Sequence, residues 1–88
     1  MIINVRYRAH LAELTKTGAE TMETAGNKIA MVKDVLRHIK KSFGPEAEKN
    51  AKSMIITVNG HSILHLDHYK TQLREGDEVS FMPICGGG

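Results

Sequence analysis

Cysteine is almost missing from this chain. The single residue, Cys85, excludes an internal disulfide framework and any zinc site built on several cysteines. It fits a reducing, cytoplasmic setting. Tryptophan is absent, and two Tyr and two Phe are the whole aromatic supply, too few for a stacking platform on single-stranded nucleic acid. No run of about 18 apolar residues occurs, so no membrane-spanning helix is expected. The opening Met1-Ile2-Ile3-Asn4-Val5-Arg6 lacks a basic segment followed by a long apolar stretch, so no secretory signal is expected. An excess of one charge is also lacking. Twelve basic residues against ten acidic ones leave +2, which argues against a nucleic-acid partner or an anionic membrane. Arg37, Lys40 and Lys41 lie close together and read as a solvated helix face. What is present is ordinary globular material: 41% hydrophobic and 25% charged residues. At 88 residues the chain makes one domain with a thin core.

The first segment has period two. Ile3, Val5, Tyr7, Ala9 and Leu11 share one parity, and Asn4, Arg6, Arg8 and His10 the other, which predicts a half-buried strand. Thr15-Lys16-Thr17-Gly18 reads as a turn. Glu20, Met22 and Glu23 among Thr21 and Thr24 predict a second strand ending near Gly26, joined to the first as an antiparallel hairpin by a short connection. From Met31 the period changes: Val32, Val35, Leu36, Ile39 and Phe43 recur every three or four residues. That is an amphipathic helix of about three turns, stopped by Gly44-Pro45, with Lys40 and Lys41 favourable at its C-terminal end. Residues 46–52 fit a loop or a short second helix. Met54-Ile55-Ile56-Thr57-Val58 is a third strand running into Asn59-Gly60, a strong hairpin signal, with residues 61–66 as the return arm. A polar connection and the turn Glu75-Gly76-Asp77 lead to Glu78-Val79-Ser80-Phe81-Met82-Pro83, a last strand with Val79 and Phe81 inward and Pro83 at its end. Two hairpins around a helix make an α+β arrangement, a mixed sheet of four to five strands on one main helix.

The chain closes on Gly86-Gly87-Gly88. At a background glycine frequency of about 7%, a triplet at one given place has a chance of about 3 in 10,000. Glycines cost the most backbone entropy to order, so folding does not explain them. We divide the chain into a domain over residues 1–83 and a mobile tail over residues 84–88. Fully extended, the tail reaches about 16–18 Å. Without side chains it can thread a narrow tunnel into another protein's active site. Its terminal carboxylate is ionised at neutral pH, since its free pKa is roughly 3.5, and is a poor electrophile until converted to a mixed anhydride. Such a tail therefore implies an activating enzyme supplied in trans.

The opening Ile2-Ile3-Asn4-Val5-Arg6-Tyr7, the run Leu11-Ala12-Glu13-Leu14-Thr15, Val58-Asn59-Gly60, and Leu73-Arg74-Glu75-Gly76-Asp77-Glu78-Val79-Ser80-Phe81-Met82-Pro83 before a glycine-terminated tail together resemble the MoaD family. MoaD is the small, sulfur-carrying subunit of molybdopterin synthase. It sits beside the thiamin sulfur carrier ThiS among the ubiquitin-like β-grasp proteins. The resemblance implies that Gly88 carries the chemistry. Its carboxylate would be adenylated with ATP by a ubiquitin-activating-like adenylyltransferase (MoeB/ThiF-like) and converted to a thiocarboxylate. The sulfur would then pass to a pterin precursor held in the large catalytic subunit of molybdopterin synthase (MoaE-like). Gly86 and Gly87 would give slimness and reach, and Phe81, Met82, Pro83 and Ile84 would anchor the tail and meet partners. The protein would bind no cofactor and no metal, and would be a co-substrate rather than an enzyme alone. The same activated carboxylate would equally serve a ubiquitin-like modifier of lysines, or a carrier for thiamin, cysteine or another metabolite. Three glycines stand where the family usually has two, and the segment around residues 44–53 is longer than in the smallest members.

Other residues with chemistry were weighed beside the tail. Cys85 has no fixed base beside it to tune its pKa. It reads as a small apolar residue, a transient persulfide or disulfide partner, or a nucleophile. Of the five histidines, His61 and His65 would lie about 13 Å apart along one strand, too far for one zinc ion. His68 falls in a loop, and His38 sits near the C-terminal end of the helix, where a partial positive charge is compatible with the dipole. Met31 and Met54 are candidates for core filling, and Met82 with Ile84 for a soft apolar patch at the root of the tail.

Overall fold

The computed structural model describes residues 1–23 and 31–84. The expected end of the second strand at Thr24 and Gly26, together with Cys85, Gly86, Gly87 and Gly88, lies outside the described residues.

Strand β1 (Ile2–Tyr7) follows its alternation, with Ile3, Val5 and Tyr7 buried and Ile2, Asn4 and Arg6 exposed. The alternation of Ala9 and Leu11 does not continue the strand. Helix α1 (Ala9–Thr15) begins there, with Ala9 at φ +55°. Leu11 and Thr15, four residues apart, both turn inward, so the segment satisfies a helical period as well as period two. Ala, Leu and Glu are also strong helix formers. The helix ends on Lys16 in the left-handed region, inside the turn read from residues 15–18. Strand β2 (Ala19–Glu23) pairs antiparallel with β1, Val5 opposite Glu20. The first hairpin exists, but its connection holds a helix and is not short.

Helix α2 (Val32–Phe43) buries Val32, Val35, Leu36 and Ile39. The Met31 N–H donates to the Asp34 carboxylate at 2.8 Å, satisfying one donor at the helix start. Gly44, at φ +100°, breaks the helix, and Pro45 opens α3 (Pro45–Lys52), where its missing N–H costs nothing. Residues 46–52 are thus helical. Ala47 and Ala51, one turn apart, are buried, and their small side chains let α3 lie close against α1 and α2. Three helices therefore cover the sheet, not one main helix alone.

Strand β3 (Ile55–Val58) turns at Asn59 and Gly60, both at positive φ (+51° and +86°), as a type I′ turn demands. The return strand β4 (His61–Ser62) is far shorter than residues 61–66. The Ser62 hydroxyl accepts the Leu64 N–H at 3.2 Å, and a 3-10 turn, Ile63–His65, follows. His61 and His65 therefore do not share a strand. A second 3-10 turn, His68–Lys70, leads toward β5 (Glu78–Met82).

The sheet order is β2-β1-β5-β3-β4. β5 runs parallel to β1 and antiparallel to β3, aligning Tyr7, Phe81 and Ile56 across three strands. These residues, with Ile3, Val5, Val79 and Val58, make the sheet's contribution to the core; the helices supply most of the rest, and Ile63 and Leu73 complete it. Met54 packs on the margin of this core; Met31 instead sits at the head of α2, bridged to Gln72. This is the ubiquitin-like β-grasp. Among the described residues, no helix is long and apolar enough to cross a membrane.

Candidate functional site

The last described residues, Pro83 and Ile84, follow β5 out of the middle of the sheet. β5 has a neighbour on both sides, so its two rows of backbone groups are paired and its direction is fixed. Phe81 is fully buried. Its ring stacks on Tyr7 with centroids 6.0 Å apart and planes 21° from parallel, and Phe43 meets Tyr7 edge-on at 6.0 Å. Phe81 thus fixes β5 to the core from inside and offers no surface to a partner, against the expectation that it would contact one. Met82 is half-buried on the opposite face, across from Ile55. Pro83 has no N–H to continue the ladder, and Ile84 stands 68% exposed. The four residues therefore divide by burial along the chain: Phe81 lies inward, Met82 is half-buried, and Pro83 and Ile84 are exposed.

Beside Ile84 lies an apolar groove of about 300 Å³, walled by Met54, Ile63, Leu64 and Tyr69, with Lys52 at its edge. Leu64 was not legible as a groove residue because residues 61–66 read as a strand, and Tyr69 fell in the polar connection that followed. The signal was present in Ser62, whose hydroxyl caps the 3-10 turn that turns Leu64 outward.

On the far side of the body, the Tyr7 hydroxyl donates to Glu20, whose other carboxylate oxygen lies 3.1 Å from His38 Nε2. Burial, and then the bonded Glu20 carboxylate, hold the Tyr7 hydroxyl well above the ordinary tyrosine range. His38, read from sequence as a companion of the helix dipole, is a link in this chain and ties α2 to β2. Two further carboxylates brace the sheet near its outer face. Glu78 pairs with Arg6 at 2.8 Å, and Glu75 accepts the Ile2 N–H at 3.1 Å.

The ThiS family model matches residues 5–88, nearly the whole chain and all of the terminal glycines. The chain belongs to the ThiS family. No curated protein sequence matches it. Among solved structures, this ThiS-family chain is similar to the small archaeal modifier protein 1 of Methanosarcina acetivorans. The TM-score is 0.81 at 24% identity, covering 99% of this chain and 96% of that one. It is also similar to a chain of the complex between subunits 1 and 2 of the molybdopterin-converting factor of Helicobacter pylori. There the TM-score is 0.68 at 20% identity, with 100% of each chain covered. A chain of the Amycolatopsis orientalis BexX/CysO complex matches with TM-score 0.74 at 15% identity, covering 98% of this chain and 99% of that one. At these identities the likeness is one of fold.

Proposed function

We propose that this chain is a sulfur carrier whose Gly88 carboxylate is activated and loaded by an enzyme in trans. The observation that carries the reading is the ThiS-family match running through residue 88. The central position of β5, which aims the chain outward at Ile84, supports it.

The chemistry follows from what a carboxylate lacks. A Gly88 oxygen attacks the α-phosphorus of ATP in an adenylyltransferase of the MoeB/ThiF kind, and pyrophosphate leaves. The acyl-adenylate is then attacked at its carbonyl carbon by hydrosulfide from a sulfide donor. The carbon–oxygen bond to AMP breaks, a proton is released, and a thiocarboxylate remains. Gly86, Gly87 and Gly88 put no Cβ near the reacting carbon, so both enzymes can approach it closely. Met82, Pro83 and Ile84 meet the partner, while Phe81 holds the strand that presents them. We assign the acceptor to molybdopterin synthesis, with a MoaE-like large subunit receiving the tail. The Helicobacter pylori structure, a complex of two such subunits, supports that assignment. The second reading is a protein modifier, favoured by the fold shared with the archaeal modifier protein. In it a lysine amine, not hydrosulfide, displaces AMP.

Intact mass tests this. After incubation with the cognate activating enzyme, ATP and a sulfide donor, the chain should gain the mass difference between sulfur and oxygen. Deleting Gly87 and Gly88 should abolish the gain and leave the unfolding midpoint in place. An unlabelled terminus in the presence of a matched activating enzyme would overturn the proposal. Higher-mass conjugates to lysine in its place would favour the modifier.

A further inference from the structure

Six large apolar side chains are exposed among the described residues, and four of them (Ile55, Leu64, Tyr69 and Ile84) line the groove beside the tail. That concentration is not scatter, since single exposed apolar residues are ordinary and clusters are not. The groove continues. Lys52 and Tyr69 are also walls of a second depression of about 260 Å³, which runs over α2 and α3 and is lined by Lys33, Arg37 and Lys40. Four cations therefore face this cleft with one carboxylate, Glu48, among them. Arg37 is held by Asp34 of its own helix at 3.3 Å. Among the described residues, Lys33, Lys40 and Lys52 make no ion pair. Lys33, Arg37 and Lys40 sit at i, i+4 and i+7 on α2, one stripe spanning about 10 Å. That is the length of roughly three to four residues of extended chain.

We propose that the groove and the cleft are one docking surface. Its occupant is an extended segment of a partner protein carrying two or three apolar side chains followed by three or four acidic ones. The apolar end lies beside Ile84, at the root of the tail, and the acidic end lies along α2. Charge complementarity selects the acidic half, because repulsion among unpaired lysines is relieved by an anionic strand. The contiguous apolar wall selects a peptide over a nucleic acid, which would use the cations alone. The surface stands whether or not the terminal carboxylate is ever loaded with sulfur.

The probe is a synthetic peptide of alternating leucine and valine followed by four glutamates, titrated into the full-length, isotope-labelled chain and followed by amide shifts. Shifts should cluster at Leu64, Tyr69, Lys33 and Lys40, and the affinity should fall as salt rises. The double variant Lys33→Glu with Lys40→Glu should weaken binding by about tenfold or more, since two attractive contacts to the acidic half become repulsive. Leu64→Ser should weaken it independently, and unchanged unfolding midpoints would show that both variants fold. No binding, shifts confined to the outer sheet face, or equal binding of a version with lysines for glutamates would overturn the proposal. Equal binding of a single-stranded oligonucleotide would overturn it too, and would assign the cleft to nucleic acid. None of these outcomes touches the mass test of Gly88, and failure of that test leaves peptide binding unaffected.

Discussion

Truncating Phe81 separates the body of this protein from its tail. Phe81 is fully buried, aligned between Tyr7 and Ile56, and stacked on the Tyr7 ring. Phe81→Ala removes a phenyl ring from a packed site, and such changes cost about 3–5 kcal/mol. An 88-residue domain holds roughly 4–13 kcal/mol in all, so this is a large share. The unfolding midpoint should fall by roughly 12–40 °C, at 4–8 °C per kcal/mol for a domain of this size. Ile84, two residues past the end of β5, is the control. It is 68% exposed, so Ile84→Asp should stay within about 0.5 kcal/mol of the parent. Thermal unfolding followed by circular dichroism reads the first effect, and the initial rate of terminal sulfur loading reads the second. At a temperature where both variants are folded, Phe81→Ala should load at the parent rate and Ile84→Asp should load slowly. A drop of less than about 4 °C for Phe81→Ala would refute the packing argument. An equal drop for Ile84→Asp would refute the division between anchor and surface.

Three further variants test local features of the fold. Tyr7→Phe should cost about 1.5–3 kcal/mol at neutral pH by removing a hydrogen bond to a carboxylate, read by urea unfolding. The same variant tests pH dependence. Folded Tyr7 keeps its proton where the unfolded side chain, with a pKa of about 10, loses it. Parent stability should therefore be full below about pH 10 and decline above it, by up to about 1.4 kcal/mol per pH unit. Tyr7→Phe should lack that component. Asn59→Ala should cost about 1–3 kcal/mol, because the side chain donates to Asp77 at 2.9 Å, accepts the Glu78 N–H at 3.0 Å, and sits at positive φ. Gly60→Ala, at φ +86° with open space around the new Cβ, should cost about 1–2 kcal/mol from backbone conformation alone. Both are measured by chemical denaturation.

Where periodicity was long and unambiguous, the sequence was readable. Five apolar positions in helical spacing located α2, and Asn59-Gly60 located the β3–β4 turn. The errors came from short segments in which two periods fit the same residues. Leu11 is inward in a strand or a helix, so α1 was hidden inside an apparent extension of β1. Residues 45–52 lacked a large apolar stripe because α3 buries only alanines. The return arm after Gly60 was too long because the hydroxyl of Ser62 draws the chain into a 3-10 turn after two residues of pairing. The same local event turned Leu64 outward, so the groove was invisible until the chain was folded. At the root of the tail the directions of the side chains were legible, but the burial of Phe81 removes it from the surface expected to meet partners. That Phe81 faces in and Ile84 out follows from alternation and the strand's end at Met82.

The placement of β5 between β1 and β3 also sets how the protein bears force. Any machine that draws on the glycine end hauls along the axis of the central strand. The ladders on both flanks then resist in shear, with every rung loaded at once, whereas a marginal strand would peel open rung by rung. Because β1 is one of those flanks and runs parallel to β5, tension between the two ends of the fold falls in shear on the β1–β5 ladder. The domain is thereby built to be pulled by its C-terminal end without being unravelled.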